Sequence, residues 1–125
     1  MNKQLKVLIV EDEVPLAHAL KLKLDLEGFK TELAENGQEC MTALKRQSFD
    51  IILLDMKMPV MDGFHTLQAL SDQNNKIPIF TLSNLSVDDD VSKVLNMGAL
   101  KYFIKSDTPL SVIVDEVKKT LGVSA

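Results

Sequence analysis

Acidic residues follow two apolar segments of the chain, at the point where each segment ends. Asp55 comes directly after residues 51–54, and Glu11 and Asp12 come directly after residues 6–10. Short continuous apolar runs are typical of buried parallel strands. In open α/β sheets, ligands bind at the carboxyl ends of the strands. These carboxylates are therefore candidates for a binding site, and an ordinary solvated turn at Asp55 is the alternative.

Two further apolar segments end in residues that can contact an anion. Ser83 follows residues 77–82, and Lys105 follows residues 100–104. Right-handed crossovers bring the carboxyl ends of all parallel strands to one edge of a sheet. Taken singly, each residue fits an ordinary surface or loop position. Four strand ends that all carry such residues favour one shared site.

The chemistry of this set suits a phosphoryl group and a divalent cation. Carboxylates that crowd together repel one another and raise at least one pKa unless a cation joins them. Ligand sets made only of oxygen suit Mg²⁺, which keeps water molecules and shares them with phosphate oxygens. For a phosphoryl group on Asp55, Lys105 would neutralise negative charge and the Ser83 hydroxyl would donate a hydrogen bond.

The elements that must position these residues alternate between strand and helix five times. This alternation predicts βαβ units around a parallel sheet in one α/β domain. The first helix is expected from about Pro15 to a stop at Gly28, and the second over residues 37–46. Helices are also expected around residues 64–70, after a Ser86 N-cap, and after a Thr108 N-cap with Pro109 at the first helical position.

Composition excludes several classes of function. The chain has 125 residues, of which 46% are hydrophobic and 26% are charged, and its formal net charge is −4. No basic stripe is present for nucleic acid or for an anionic membrane surface. Cys40 is the single cysteine, so no internal disulfide can form. Without a signal segment or a membrane-spanning apolar run, the expected location is the cytoplasm.

The complete set closely resembles the receiver domain of two-component response regulators, in the CheY-like superfamily, over essentially residues 1–125. The positions that carry the resemblance are spread across the chain: residues 7–13, residues 55–63, Ser83, Gly98, Ala99, Tyr102 and Lys105. The resemblance implies one (βα)5 doubly wound domain of the flavodoxin-like type. Its five-stranded parallel sheet would have the order 2-1-3-4-5, flanked by five helices.

The resemblance also implies the roles of the site residues. Asp55 would accept a phosphoryl group from a sensor histidine kinase or a phosphotransfer protein. Asp12, Asp55 and the main-chain carbonyl of Lys57 would ligate Mg²⁺, with Glu11 acting through water. Lys105 and Ser83 would contact the phosphoryl oxygens. Such a domain promotes only its own phosphorylation and dephosphorylation and is not an enzyme in the strict sense.

In this family a hydroxyl and an aromatic residue form the switch, here Ser83 and Tyr102. The output face lies on the fourth helix, fifth strand and fifth helix, and it controls an output domain or a downstream protein. Dimerisation of the phosphorylated protein through this face is possible within the resemblance, whereas direct nucleic-acid or membrane contact is not expected. Tyr102 also fits a simpler role as the polar-tipped aromatic of an edge strand.

Three residues need separate comment. Asn84 follows Ser83 where the family usually has a small residue, which would restrict access to Asp55. Ser106 follows Lys105 where proline after a cis peptide is usual, so the loop is expected to differ. Lys57 occupies a position that tunes the lifetime of the phosphorylated state, and we expect the same of Asn84.

Three other functions compete with a phosphoacceptor. An aspartate-nucleophile phosphohydrolase would need a second acid where Lys57 stands. A flavodoxin-type cofactor binder needs a hydroxyl- and glycine-rich phosphate loop, whereas Glu11 and Asp12 would repel a phosphate. A pseudo-receiver that binds proteins without phosphorylation is the remaining alternative, supported by Asn84 and Ser106. The sequence does not decide between a stand-alone regulator and a receiver from a longer protein.

Overall fold

The computed structural model describes residues 4–84 and 88–123, and for residues 88–90 it describes the backbone alone. Five parallel strands form one sheet in the order β2-β1-β3-β4-β5, which confirms the predicted fold class. The elements are β1 (Lys6–Val10), α1 (Val14–Leu26), β2 (Lys30–Ala34), α2 (Gly37–Arg46), β3 (Ile51–Asp55), α3 (Gly63–Asp72), β4 (Ile79–Ser83), α4 (Asp88–Asn96), β5 (Lys101–Ile104) and α5 (Leu110–Leu121). A 3₁₀ turn, Lys105–Asp107, connects β5 to α5.

The sheet is covered by helices on both faces. Successive side chains of a strand point to opposite faces, so Leu8 and Val10 join one core cluster while Val7 and Ile9 join the other. The first cluster includes buried residues of α2, α3 and α4, and the second includes buried residues of α1 and α5. Burial on both faces explains the continuous apolar runs of β1 and β3, residues 7–10 and 51–54.

Side-chain caps fix the starts of two helices close to the site. The Asn36 carboxamide accepts a hydrogen bond from the Glu39 backbone N–H at the start of α2. The Asp62 carboxylate accepts one from the His65 N–H, at 2.9 Å, at the start of α3. Such caps satisfy backbone donors that have no partner inside the helix.

Helix ends agree with the sequence prediction in two places and differ in one. Gly28 and Gly98, with φ of 93° and 111°, follow α1 and α4 where stops were expected. The prediction of Thr108 as N-cap of α5 is wrong, because Pro109 takes that position with extended backbone and its carbonyl accepts from the Val112 N–H. The predicted Ser86 N-cap of α4 lies outside the described residues.

Cys40 lies on α2 and is fully buried against the sheet. Burial raises the pKa of its thiol to about 12, which suits a packing residue rather than a nucleophile. Within the described residues, none of the helices has the length and apolar character needed to cross a membrane.

Candidate functional site

The carboxyl ends of four strands meet at one edge of the sheet and deliver the predicted side chains. Glu11 follows β1 and Lys105 follows β5, while Asp55 and Ser83 are the last residues of β3 and β4. An open cleft of about 480 Å³ lies at this edge. Its lining consists of Asp12, Glu13, Asp55, Lys57, Ser83, Asn84 and Lys105.

Lys105 is the largely buried cation of this edge and faces several carboxylates, whereas Lys57, the second lysine of the cleft lining, is exposed. Its Nζ lies 2.9 Å from Glu11 Oε1, 3.2 Å from Asp55 Oδ2 and 3.4 Å from Glu13 Oε1. The contact with Glu13 was not predicted from the sequence, because Glu13 fits equally well as a solvated residue ahead of α1. The Lys105 side chain is only 11% exposed, and those of Glu11 and Asp55 are buried, so water screens these charges weakly.

The pKa of Asp55 reflects this crowding. Burial and the adjacent negative charge of Glu11 raise it to about 7, against the opposing effects of Lys105 and of the Lys57 N–H. Burial alone would lower the pKa of Lys105, but contacts with Glu11 and Asp55 outweigh burial and raise it. The site therefore holds more negative charge than Lys105 balances.

The acidic residues fit a hard divalent cation. Glu11, Asp12 and Asp55 each offer a carboxylate oxygen, and these oxygens lie within 4.8 Å of one another. Glu11 Oε1 is buried and has no hydrogen bond of good geometry among the described residues, although the Lys105 charge is close. Oxygen donors of this kind suit Mg²⁺. Asp12 is the most exposed of the three, so an ion can enter the site from the cleft.

The loop between β3 and α3 carries Lys57 and is tightly held. The Lys57 N–H donates to Asp55 Oδ1 at 3.3 Å, and the Gly63 N–H donates to the Met56 carbonyl. A Cβ at Gly63 would lie 2.4 Å from Met56 Cα, so only glycine fits there. Val60 has φ of 68°, a strained conformation for a β-branched residue. The loop thus fixes the backbone beside Asp55 at some cost in strain.

The start of α2 supports the same loop. The Gly37 N–H donates to the Met61 carbonyl at 3.0 Å, and a Cβ at Gly37 would lie 2.0 Å from Thr66 Oγ1. The sequence analysis assigned Gly37 only to the start of a helix. Its asparagine cap at position 36 gave no signal of this contact, because the contact joins segments that are distant in sequence.

The two predicted switch residues occupy different environments. Ser83 is buried at the end of β4 and lines the cleft. Tyr102 lies on the edge strand β5 opposite Thr81, is half-buried, and packs against the core cluster on the α2–α4 side. The structure therefore places Ser83 at the site and Tyr102 behind it along the neighbouring strand.

The two residues that depart from the expected pattern are in contact. The Ser106 N–H donates to Asn84 Oδ1 at 3.2 Å. The peptide bonds of the described residues are all trans, which includes the bond between Lys105 and Ser106.

Comparison with known families assigns the chain. Residues 7–117 match the response regulator receiver domain. The chain belongs to the response regulator receiver family. This result confirms the resemblance seen in the sequence, and the receiver described here has the doubly wound fold that the resemblance implied.

Curated relatives of this receiver include two longer regulators. The transcriptional regulatory protein ZraR of Klebsiella oxytoca is 32% identical over 104 residues, which are 83% of this chain and 24% of ZraR. The cell cycle response regulator CtrA of Brucella ovis is 34% identical over 101 residues, which are 81% of this chain and 44% of CtrA. The receiver thus spans about a quarter of ZraR and under half of CtrA.

Solved receivers superpose closely on the structure. The receiver domain of Francisella response regulator 1452 has a TM-score of 0.90 and 27% identity, covering 95% of this chain and 98% of that one. The BeF3-activated N-terminal receiver domain of Klebsiella pneumoniae RstA has a TM-score of 0.86 and 27% identity, covering 93% and 97%.

Proposed function

We propose that this receiver accepts a phosphoryl group on Asp55, with Mg²⁺, from a sensor histidine kinase or a phosphotransfer protein. The observation that carries the proposal is the excess of carboxylate over cation at the carboxyl edge, where Glu11 and Asp55 share Lys105. Family membership supports it, since receivers are signalling domains rather than enzymes that turn over a substrate. RstA, a related receiver, has been solved in a BeF3-activated form.

The residues that would hold Mg²⁺ are Asp12, Asp55 and the main-chain carbonyl of Lys57, with Glu11 acting through water. When bound, the ion neutralises negative charge on the carboxylates and on the phosphoryl oxygens. The closeness of the three carboxylates and the unsatisfied Glu11 Oε1 support this assignment.

The transfer step uses the side chains of the cleft. An Asp55 carboxylate oxygen attacks phosphorus, the bond from phosphorus to the donor's histidine nitrogen breaks, and that nitrogen keeps the electron pair. Lys105 orients Asp55 and neutralises charge on the phosphoryl oxygens, and the Ser83 hydroxyl donates to another of these oxygens. Phosphoryl transfer asks a protein mainly for such positioning and electrostatic stabilisation.

Signal output follows from the added charge. Ser83 moves toward the phosphoryl group, Tyr102 rotates inward, and the α4-β5-α5 face changes its affinity for an output domain, a downstream protein or a second copy. Lys57 and Asn84, which line the cleft, tune the lifetime of the phosphorylated state. The receiver works as one domain in the cytoplasm and does not itself bind nucleic acid or membrane.

The test is phosphorylation by acetyl phosphate, followed by intact mass. We expect one labile phosphoryl group on the wild-type protein with Mg²⁺ and none after chelation. Asp55→Ala should abolish the modification, whereas Asp50→Ala, at the opposite end of β3, should not. If the wild type stays unmodified even with a histidine kinase supplied, the protein is a pseudo-receiver and the proposal is wrong.

A further inference from the structure

Asn84 and Ser106 connect two loops at the rim of the cleft. They are 22 residues apart in sequence, and each follows a strand of the neighbouring pair β4 and β5. Ser83 lies opposite Ile104 in the strand register, so the loops that follow the two strands start side by side. The hydrogen bond from the Ser106 N–H to Asn84 Oδ1 closes the gap between them.

The Ser106 N–H needs an external acceptor for a simple geometric reason. It belongs to the 3₁₀ turn Lys105–Asp107, which begins directly after Ile104. The first N–H groups of a helical turn have no carbonyl partner inside that turn. A proline at this position would remove the donor, whereas serine keeps it and Asn84 supplies the acceptor. The two departures from the expected sequence are thus one structural solution.

The bond also determines how the Asn84 side chain is oriented. A backbone N–H can only donate, so it selects the carboxamide oxygen, and the NH₂ group takes the other direction. Asn84 itself lines the cleft together with Asp55 and Lys105. Because Lys105 directly precedes Ser106, the bond anchors the backbone from which the lysine reaches Glu11 and Asp55.

We propose that Asn84 and Ser106 form a latch that positions Lys105 toward Asp55. Both are positioning residues, since they act through Lys105. The effect on phosphorylation rests on the function proposed above, whereas the latch itself can be measured in the unphosphorylated protein. The two parts are therefore tested separately.

The first experiment measures hydrogen exchange of the residue-106 amide by NMR in the full chain. Asn84→Ala should increase the exchange rate of this amide about fivefold, as expected when one solvent-exposed hydrogen bond is lost. Asn84→Asp keeps an acceptor and should retain the protection. Ser106→Ala keeps the N–H and is the matched control, with protection like that of the wild type. Unchanged exchange in Asn84→Ala would overturn the latch.

The second experiment is a double-mutant cycle on the rate of phosphorylation by acetyl phosphate. In the wild-type background, Asn84→Ala should lower the rate of phosphorylation about threefold, because Lys105 is held less firmly. In a Ser106→Pro background no N–H is present, so Asn84→Ala should change the rate no further. Additive effects would show that Asn84 acts without Ser106, which contradicts the proposal.

Mg²⁺ affinity separates positioning from general damage. Neither residue is a proposed ligand, and Lys105 competes with the ion for the Glu11 and Asp55 carboxylates, so the affinity should not fall in any of the four proteins of the cycle. A joint loss of affinity and rate would contradict a role through Lys105. If the wild type takes no phosphoryl group at all, the proposed function fails, and hydrogen exchange still decides whether the latch exists.

Discussion

Charged side chains are partnered differently at the two ends of the sheet. At the amino end, Asp50 Oδ2 accepts a hydrogen bond from the Lys6 backbone N–H at 2.8 Å, and the Asp50 N–H donates to the Lys6 carbonyl. Beside them, Arg46 forms an ion pair with Glu32 at 2.9 Å, and Gln47 bridges Glu32 and the Lys6 ammonium. Each of these charged side chains has a partner within the chain, either an opposite charge, as for Arg46 and Glu32, or a neutral hydrogen-bonding group, as for Asp50 and Lys6.

At the carboxyl end, one lysine serves several carboxylates. Lys105 contacts Glu11, Glu13 and Asp55, and Glu11 Oε1 still lacks a well-formed hydrogen bond among the described residues. The same strands therefore have one end built for stability and another whose charges need an added cation. An unbalanced, partly buried cluster of this kind is typical of functional sites.

The largest expected effect comes from removing the lysine at the unbalanced end. Lys105→Met should lower the free energy of unfolding by about 2 kcal/mol at pH 8, because two buried carboxylates lose their countercharge. The loss should shrink at pH 5 and with Mg²⁺. Urea denaturation measures it, with Lys101→Met as control, since Lys101 pairs with Glu116 at the surface. Equal losses in the two variants would contradict the comparison.

An effect of opposite sign and similar size is expected for Asp55→Asn. The folded-state pKa of about 7 lies above the ordinary value of 3.8, so the folded protein binds the extra proton between these values. Wild-type stability should therefore fall, relative to the variant, as pH rises from 4 to 7. We expect the variant to be more stable by about 2 kcal/mol at pH 7.5, discounted for solvent in the cleft.

Thermal or urea unfolding of both proteins across this pH range gives the difference directly. Saturating Mg²⁺ should reduce it, because the ion supplies the missing positive charge. A difference that stays constant from pH 4 to pH 7.5 would show that Asp55 is not strained electrostatically.

The smallest effect is expected at the balanced end. Asp50→Ala removes the acceptor of the Lys6 N–H and should cost about 1 kcal/mol of unfolding free energy. The cost should be the same with and without Mg²⁺, since the residue lies at the far end of β3. Urea denaturation in both conditions is the measurement, and a Mg²⁺-dependent cost would contradict the separation of the two ends.

The sequence predicted those parts of the fold and site that depend on local pattern. Asp55 and Lys105 could be placed because each ends an apolar run, and strand ends of a parallel sheet share one edge. The contact of Glu13 with Lys105 and the bond between Asn84 and Ser106 could not be predicted. They depend on loop paths that join distant segments, for which spacing in the sequence carries no information.

Helix boundaries show a second limit. Thr108 and Pro109 both fit the start of α5, and the choice between them depends on one residue's backbone torsion. The strain at Val60 is also invisible in the sequence, since valine is normally a strand residue.

The buried Cys40 thiol can report opening motions of the protein through its reaction with thiol reagents. A thiol reagent needs a thiolate, and this thiol lies fully buried beneath α2 with its pKa raised. Labelling must therefore wait until α2 separates from the sheet, so its rate follows the population of opened molecules. Gly37 of α2 also supports the loop beside Asp55 through its hydrogen bond to Met61. Labelling rates of Cys40 with and without Mg²⁺ would therefore measure how much an occupied site reduces the opening of α2.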